Sequence, residues 1–302
     1  MILSSPITFP NLGISVDPSR VAFSIGGKDI YWYGIIIAVG FVLAVIYACR
    51  CAPQFGLTED HILDMLIVAV PLAVICARLY YCIFYWELYA DNPISVLYIW
   101  EGGLAIYGGV IGAVIAVGIY SRVKKVPMGP MLDIGGMGLL IGQLVGRWGN
   151  FINREAHGAV TDGFFKMGLT DASGNVTYYQ PTFLYESVWN LVGFALLHFI
   201  FKKRRRYDGE LFTMYVAWYG LGRAWIEGLR TDSLYLFNTG IRVSQLLAAV
   251  SCLVAVALLV YNLKIRPKDP ENMLVRKIQR RVEEAVAQSA EESSDPAAAK
   301  EK

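Results

Sequence analysis

Arg223, Glu227 and Arg230 stand at i, i+4 and i+7 in an apolar segment, which sets plus, minus and plus on one face of a helix. A cation alone in hydrocarbon costs at least about 2.5 to 3.5 kcal/mol, so both arginines need partners and Glu227 serves only in part. A second polar group lies in the run GRWGNFINREAHG, residues 146–158, which places Arg147, Asn150, Asn153, Glu155 and His157 where another apolar segment ends. Guanidinium groups bind phosphate through paired hydrogen bonds, so these residues suit an anion site with spare positive charge. The anion most available at a membrane surface is a phospholipid headgroup. The competing arrangement is a self-neutralising network in which Glu227, Glu186 and Glu155 compensate Arg78, Arg147, Arg223 and Arg242.

The elements that must position these groups are membrane helices. With 55% hydrophobic residues and a mean hydropathy of +0.45, the 302 residues are too apolar for an ordinary soluble domain. The net charge of +2, with basic residues in short clusters, does not suggest nucleic acid. Seven segments reach spanning length, at about 31–49, 61–82, 103–120, 131–149, 182–201, 211–229 and 243–261. Arg50, then Arg122, Lys124 and Lys125, then residues 202–206, then Lys264, Arg266 and Lys268 follow the odd-numbered segments, so those ends are expected in the cytoplasm. The fold class expected is an all-α integral membrane protein of seven transmembrane helices, with the amino terminus outside and the carboxyl terminus cytoplasmic. Residues 1–30 form an external segment, 31–262 the transmembrane catalytic domain, and 151–181 an external head with strand or turn character. Residues 263–302 read as a polar, partly disordered tail that can begin with a short amphipathic helix. The first thirty residues lack the pattern of a cleavable signal peptide.

This topology gathers Tyr33, Arg78, Tyr107, Arg147, Asn150, Tyr185, Glu186, Arg223, Glu227, Arg230 and Arg242 near the outer face. Asp64 and Asp133 map to inner ends, where helix N-termini accept carboxylates. His61 and His198 also map inside, whereas His157 is either a loop residue or a neighbour of the reacting groups. Glycines in GGLAIYGG, residues 102–109, and Gly112 serve either close helix packing or clearance for a substrate beside Tyr107. Tyr33 and Tyr185 are interfacial anchors or site residues; Trp100, Trp148 and Trp225 read as belt or packing residues. The five cysteines show neither metal nor disulfide spacing, and no metal, nucleotide or other cofactor motif accompanies the polar layer.

GRWGNFINREAHG closely resembles the signature of bacterial prolipoprotein diacylglyceryl transferases, as do WYG at residues 32–34, GGLAIYGG, QPTFLYES and YGLGRAWIEGLR. The likeness spans roughly residues 31–261 and leaves the tail outside. It implies transfer of an sn-1,2-diacylglyceryl group from phosphatidylglycerol to the lipobox cysteine thiol of a prolipoprotein signal peptide, giving a thioether and glycerol phosphate at the outer face of the bacterial plasma membrane. It further implies that Arg147 and Arg223 handle the lipid phosphate, and that Asn150, Glu155, Gly158, Tyr33, Tyr219, Glu227 and Arg230 serve the site; Asn153, Tyr185 and Glu186, in the same motifs, are further candidate substrate-binding residues.

Negative charge builds on the leaving oxygen in such a displacement, and arginines aimed there stabilise it. Some relatives have histidine where this chain has Tyr107, and that histidine has been proposed as the base. A tyrosine with its ordinary pKa near 10 is a poor base at neutral pH, so the thiol proton falls to Glu155, His157 or water unless a neighbouring arginine activates Tyr107. A lipid transporter would need a polar route through both membrane halves, yet the inner half has only Asp64, Asp133 and scattered polar groups. An assembly scaffold would leave the outer arginines unexplained.

Overall fold

The computed structural model describes residues 6–171, 173–231, 240 and 242–294. Its helices are α1 (Trp32–Cys51), α2 (Glu59–Phe84), α3 (Ile106–Lys124), α4 (Met128–Asn153), α5 (Thr182–Ala195), α6 (Glu210–Ile226), α7 (Val243–Val260) and α8 (Leu274–Ser294). Short strands are β1 (Ile7–Phe9), β2 (Ile14–Val16), β3 (Val21–Ile25), β4 (Lys28–Tyr31), β5 (Met167–Thr170) and β6 (Val176–Tyr179). Among the described residues, six helical stretches are long and apolar enough to cross a membrane: Trp32–Phe55, Glu59–Phe84, Ile106–Lys124, Met128–Asn153, Thr182–Arg204 and Val243–Ile265. Large apolar side chains such as Ile67, Ile106 and Leu253 are exposed on them, as a hydrocarbon environment allows. The segment expected at 211–229 is not among them: α6 has 17 residues, then tightens into a 3-10 turn at Glu227–Leu229. Seventeen residues is the lower limit for a span.

The chain divides into two compact units. One comprises Met1–Tyr47, Gly135–Arg206 and Glu210–Lys268. Its antiparallel sheet has the order β2-β1-β5-β6, so the amino-terminal segment and the 151–181 insertion build one sheet. Sequence patterning reserved strand or turn character for the insertion alone, because three-residue strands carry too little periodicity to detect. Ile7, Phe9, Met167, Leu169 and Phe183 form the buried core beneath this sheet, flanked by Phe151 from the end of α4. The β5–β6 turn is held by Asp171, whose carboxylate accepts from the Ser173 and Asn175 amides at 2.8 and 2.9 Å. Those amide bonds, Asn175's foremost, keep the Asp171 carboxyl below its ordinary range. Trp189 of α5 and Trp218 of α6 stack at 4.3 Å, and each indole N–H donates to the other residue's carbonyl. This exchange satisfies both donors where water is scarce.

The other unit comprises Ala48–Ile134, Tyr207–Gly209 and Asp269–Lys302. Here α2 begins with a capping box in which Thr58 and His61 bond each other's backbone amides, which gives His61 a structural task. A Cβ at Gly112 would come within 2.7 Å of the Leu72 carbonyl, and one at Gly108 would collide with the Cys76 carbonyl. These two glycines therefore serve close α2–α3 packing. Asp64 pairs with Lys124 at 3.0 Å, and Asp133 is wholly buried and accepts from the Gly209 amide at 2.8 Å. Both carboxylates lie past the first helical turn, so these partners replace the helix-terminus role expected of them.

Arg78 departs furthest from expectation. It is buried and donates to the carbonyls of Val96, Gly102, Gly103 and Ser95 at 2.6–3.2 Å, with Tyr89 5.0 Å from its guanidinium carbon. Backbone dipoles, not a glutamate, compensate this cation among the described residues. A Cβ at Gly103, where φ is +70°, would strike the Arg78 guanidinium, so the glycine is needed for both its conformation and its space.

Candidate active site

Glu186 is the centre of the first unit's polar cluster. It enters on α5, whose start is fixed by Pro181 and by Thr182, a buried hydroxyl that donates to the Ala156 carbonyl. The Glu186 side chain is only 5% exposed, and three guanidinium groups converge on it. Arg147 Nη2 of α4 is 2.5 Å from Oε2, Arg223 Nη1 of α6 is 2.9 Å from Oε1, and Arg230 Nη1 is 3.9 Å from Oε1. Arg223 also pairs through Nη2 with buried Glu227 at 2.7 Å. Three guanidinium groups facing two carboxylates leave one positive charge in excess within this contact set. A guanidinium has five N–H donors, and Glu186 and Asn150 engage only part of those on Arg147. Arg147 and Arg223 retain 19% and 17% side-chain exposure, so an anion can reach them.

A second carboxylate is wired to this cluster by an amide. Arg147 Nη1 donates to Asn150 Oδ1 at 3.3 Å, while Asn150 Nδ2 and Asn153 Nδ2 donate to Glu155 Oε1 at 3.0 and 3.2 Å. Glu155 is exposed and neutralises no arginine among the described residues, contrary to the network expected of it. His157 packs against Tyr179 with ring centroids 4.1 Å apart and the rings tilted by 38°, and its Nδ1 is 3.2 Å from the Gly158 carbonyl oxygen. Arg242 donates to the Arg230 carbonyl at 3.1 Å.

Tyrosines surround the charged centre at one-turn intervals. Tyr219, one turn before Arg223, stacks on Tyr215 at 5.8 Å, and the Tyr215 hydroxyl accepts from Gln143 Nε2, one turn before Arg147. Tyr33 of α1 packs against bare backbone at Gly149, where an added Cβ would fall 2.7 Å from its ring. Tyr185 lies face to face with Trp225 at 6.5 Å. Tyr107 belongs to the other unit, on α3 beside Tyr80 of α2 at 6.3 Å.

Two groups escaped sequence reasoning. Arg154 is buried with φ +56° and pairs with Asp17 at 2.9 Å, tying the amino-terminal segment to the end of α4. Burial draws its pKa down, opposed by Asp17. It stands between the polar residues Asn153 and Glu155, so nothing in the sequence marks it as interior. Gln143 was hidden similarly, although its position four residues before Arg147 was a usable signal.

Gly158 owes its importance to space. Its amide donates to Gln180, the next amide donates to Leu229, and an added Cβ would meet Gln180 Cβ at 2.8 Å and the Leu229 carbonyl at 2.9 Å. Gly158 also bridges to Arg230, so this contact sets where that guanidinium starts. Gly158→Ala is expected to cost about 1–3 kcal/mol of stability through overpacking. It should also lower activity by displacing Arg230. Thermal unfolding and transfer rate of the purified variant check both, and an unchanged rate would separate this loop from Arg230.

The fold and the cluster define a class: a multi-pass helical membrane protein with a polar cluster in which Arg147, Arg223 and Arg230 converge on buried Glu186. The chain belongs to the prolipoprotein diacylglyceryl transferase family, whose model matches residues 20–261. It is 45% identical over 256 residues to a phosphatidylglycerol–prolipoprotein diacylglyceryl transferase of Bacillus licheniformis, covering 82% of this chain and 94% of the relative. Relatives of the same name from Listeria welshimeri (44% over 265 residues, 85% and 95% covered) and Lactiplantibacillus plantarum (45% over 260, 83% and 91%) agree.

Proposed function

We propose that this chain transfers the sn-1,2-diacylglyceryl group of phosphatidylglycerol to the lipobox cysteine of a prolipoprotein signal peptide. The observation that carries this reading is the convergence of Arg147, Arg223 and Arg230 on Glu186, with Arg147 and Arg223 still partly exposed to an incoming anion. In this reading Arg147 and Arg223 hold the lipid phosphate, and Arg230, Asn150, Asn153, Tyr33, Tyr185 and Tyr219 shape the surrounding site. The thiolate sulfur attacks the glycerol carbon, the carbon–oxygen bond to phosphate breaks, and glycerol phosphate leaves with the electron pair. Charge developing on that oxygen is what the guanidinium groups stabilise. Glu155 is the favoured acceptor of the thiol proton, because it is exposed and hydrogen-bonded through Asn150 to the phosphate-binding Arg147. His157, packed against Tyr179, is the weaker candidate. A substrate-bonding role for Tyr107 rests on the GGLAIYGG segment alone.

The same proposal takes α6 as a seventh span, since it carries Arg223 and neighbours α5 and α7. It sets the amino terminus, the four-stranded sheet and the arginine cluster at the outer face of the plasma membrane, as the basic clusters after α1, α3, α5 and α7 suggest. Incubating purified protein with phosphatidylglycerol and a lipobox peptide should yield a diacylglyceryl thioether detectable by mass. Equal modification of a Cys→Ser peptide would reject thiol transfer.

A further inference from the structure

α8 lies beyond residue 261, where the match to the family ends, and the proposed chemistry gives it no task. Its first turn is anchored. The Leu274 amide donates to Asp208 at 2.8 Å, Met273 is buried, and a Cβ at Gly56 would come within about 3 Å of Leu274, Val275 and Ile278. Gly56 follows the turn Ala52–Phe55 that ends the first membrane-spanning stretch, so α8 starts at the membrane surface. Beyond that anchor its apolar side is bare. Ile278, Val282 and Val286, at i, i+4 and i+8, are 40%, 56% and 61% exposed and share a shallow groove with Arg281 and Ala285.

The charge along α8 indicates what covers this stripe. Arg276, Lys277, Arg280 and Arg281 fall in its first two turns, and Glu283 is the first carboxylate. Arg280 reaches back to Glu271 at 3.1 Å and Arg276 bonds Gln279. Lys277 and Arg281, one turn apart, run along one border of the apolar stripe, where long cationic side chains can extend to phosphates while their stems cover hydrocarbon. We propose that α8 lies in the headgroup layer with Ile278, Val282 and Val286 in the acyl boundary and Lys277 and Arg281 on anionic phospholipid. A second copy of the chain is the competing occupant, but the stripe continues only into Ala285 and Ser289, a weak seam for helix pairing.

The full chain in nanodiscs tests this by hydrogen exchange, comparing phosphatidylcholine alone with discs containing about one-third phosphatidylserine, an anionic lipid that is not the proposed substrate. The amides of 278–289 should exchange about tenfold more slowly in the anionic discs, and salt should shrink that difference. Val282→Asp, and separately Lys277→Glu with Arg281→Glu, should abolish it while leaving exchange of α1–α7 unchanged. Equal exchange in both lipids would overturn the proposal. So would protection that is independent of lipid charge and lost when each disc holds one protein.

Discussion

Arg147→Ala and Arg223→Ala should each lower diacylglyceryl transfer by roughly 10³-fold or more, because each removes donors aimed at charge that develops on the leaving phosphate. Their effects on stability should differ. Without Arg147, Glu186 keeps Arg223 at 2.9 Å and Arg230 at 3.9 Å, so no buried charge is orphaned. Arg223→Ala breaks two ion pairs to buried carboxylates, at 2.9 Å to Glu186 and 2.7 Å to Glu227, and breaking a buried pair costs about 3–5 kcal/mol. Arg147→Ala should therefore unfold near the wild-type temperature and Arg223→Ala well below it. Arg147→Lys should recover little activity, since it restores charge without the planar fork that can hold Glu186 and a phosphate together. Single-turnover rates on a lipobox peptide, read beside thermal unfolding in the same detergent, give the comparison. Full activity in either alanine variant would remove that arginine from the phosphate site.

Glu186→Ala should be the most disruptive single change in the cluster. Arg147, Arg223 and Arg230 would each lose the carboxylate they share, and loss of that buried group should destabilise the protein by about 3–5 kcal/mol. Activity should fall even under conditions where the variant is folded, because Glu186 holds Arg147 of α4 and Arg223 of α6 in one arrangement. A specific sign distinguishes this role from general damage. The variant has more uncompensated cationic charge, so anionic lipid should raise its unfolding temperature more than it raises that of the wild type, by binding the folded state. Glu186→Gln keeps the side-chain shape and should show the same sign with a smaller stability loss. An equal or smaller lipid effect in both variants would mean that the cluster is a closed ionic lock.

Much of the membrane layer was legible because hydrophobic runs and basic clusters are local properties of the chain. Arg147, Arg223, Glu227 and Arg230 could be found from charge within apolar surroundings, and the i, i+4 pairing of Arg223 with Glu227 was visible from helical spacing alone. Arg78 shows where such reasoning stops. Its partners are main-chain carbonyls seventeen to twenty-five residues away in the chain, and main-chain acceptors have no residue-type signature. Arg154 was missed for the related reason that its burial depends on Asp17, 137 residues distant in sequence.

GRWGNFINREAHG, QPTFLYES and YGLGRAWIEGLR, each read alone, carry residue types suited to an anion, and the sequence by itself determined that much, together with the family. Only the tertiary structure decided that Glu186 of QPTFLYES joins the arginines of the other two motifs, that Glu155 reaches Arg147 through Asn150, and that Gly158 is a spacer against Leu229. Local patterning reports which side chains share a helix face. Which faces meet is set by packing between segments dozens of residues apart, and that packing selects one pairing of arginines with glutamates from several that composition permits.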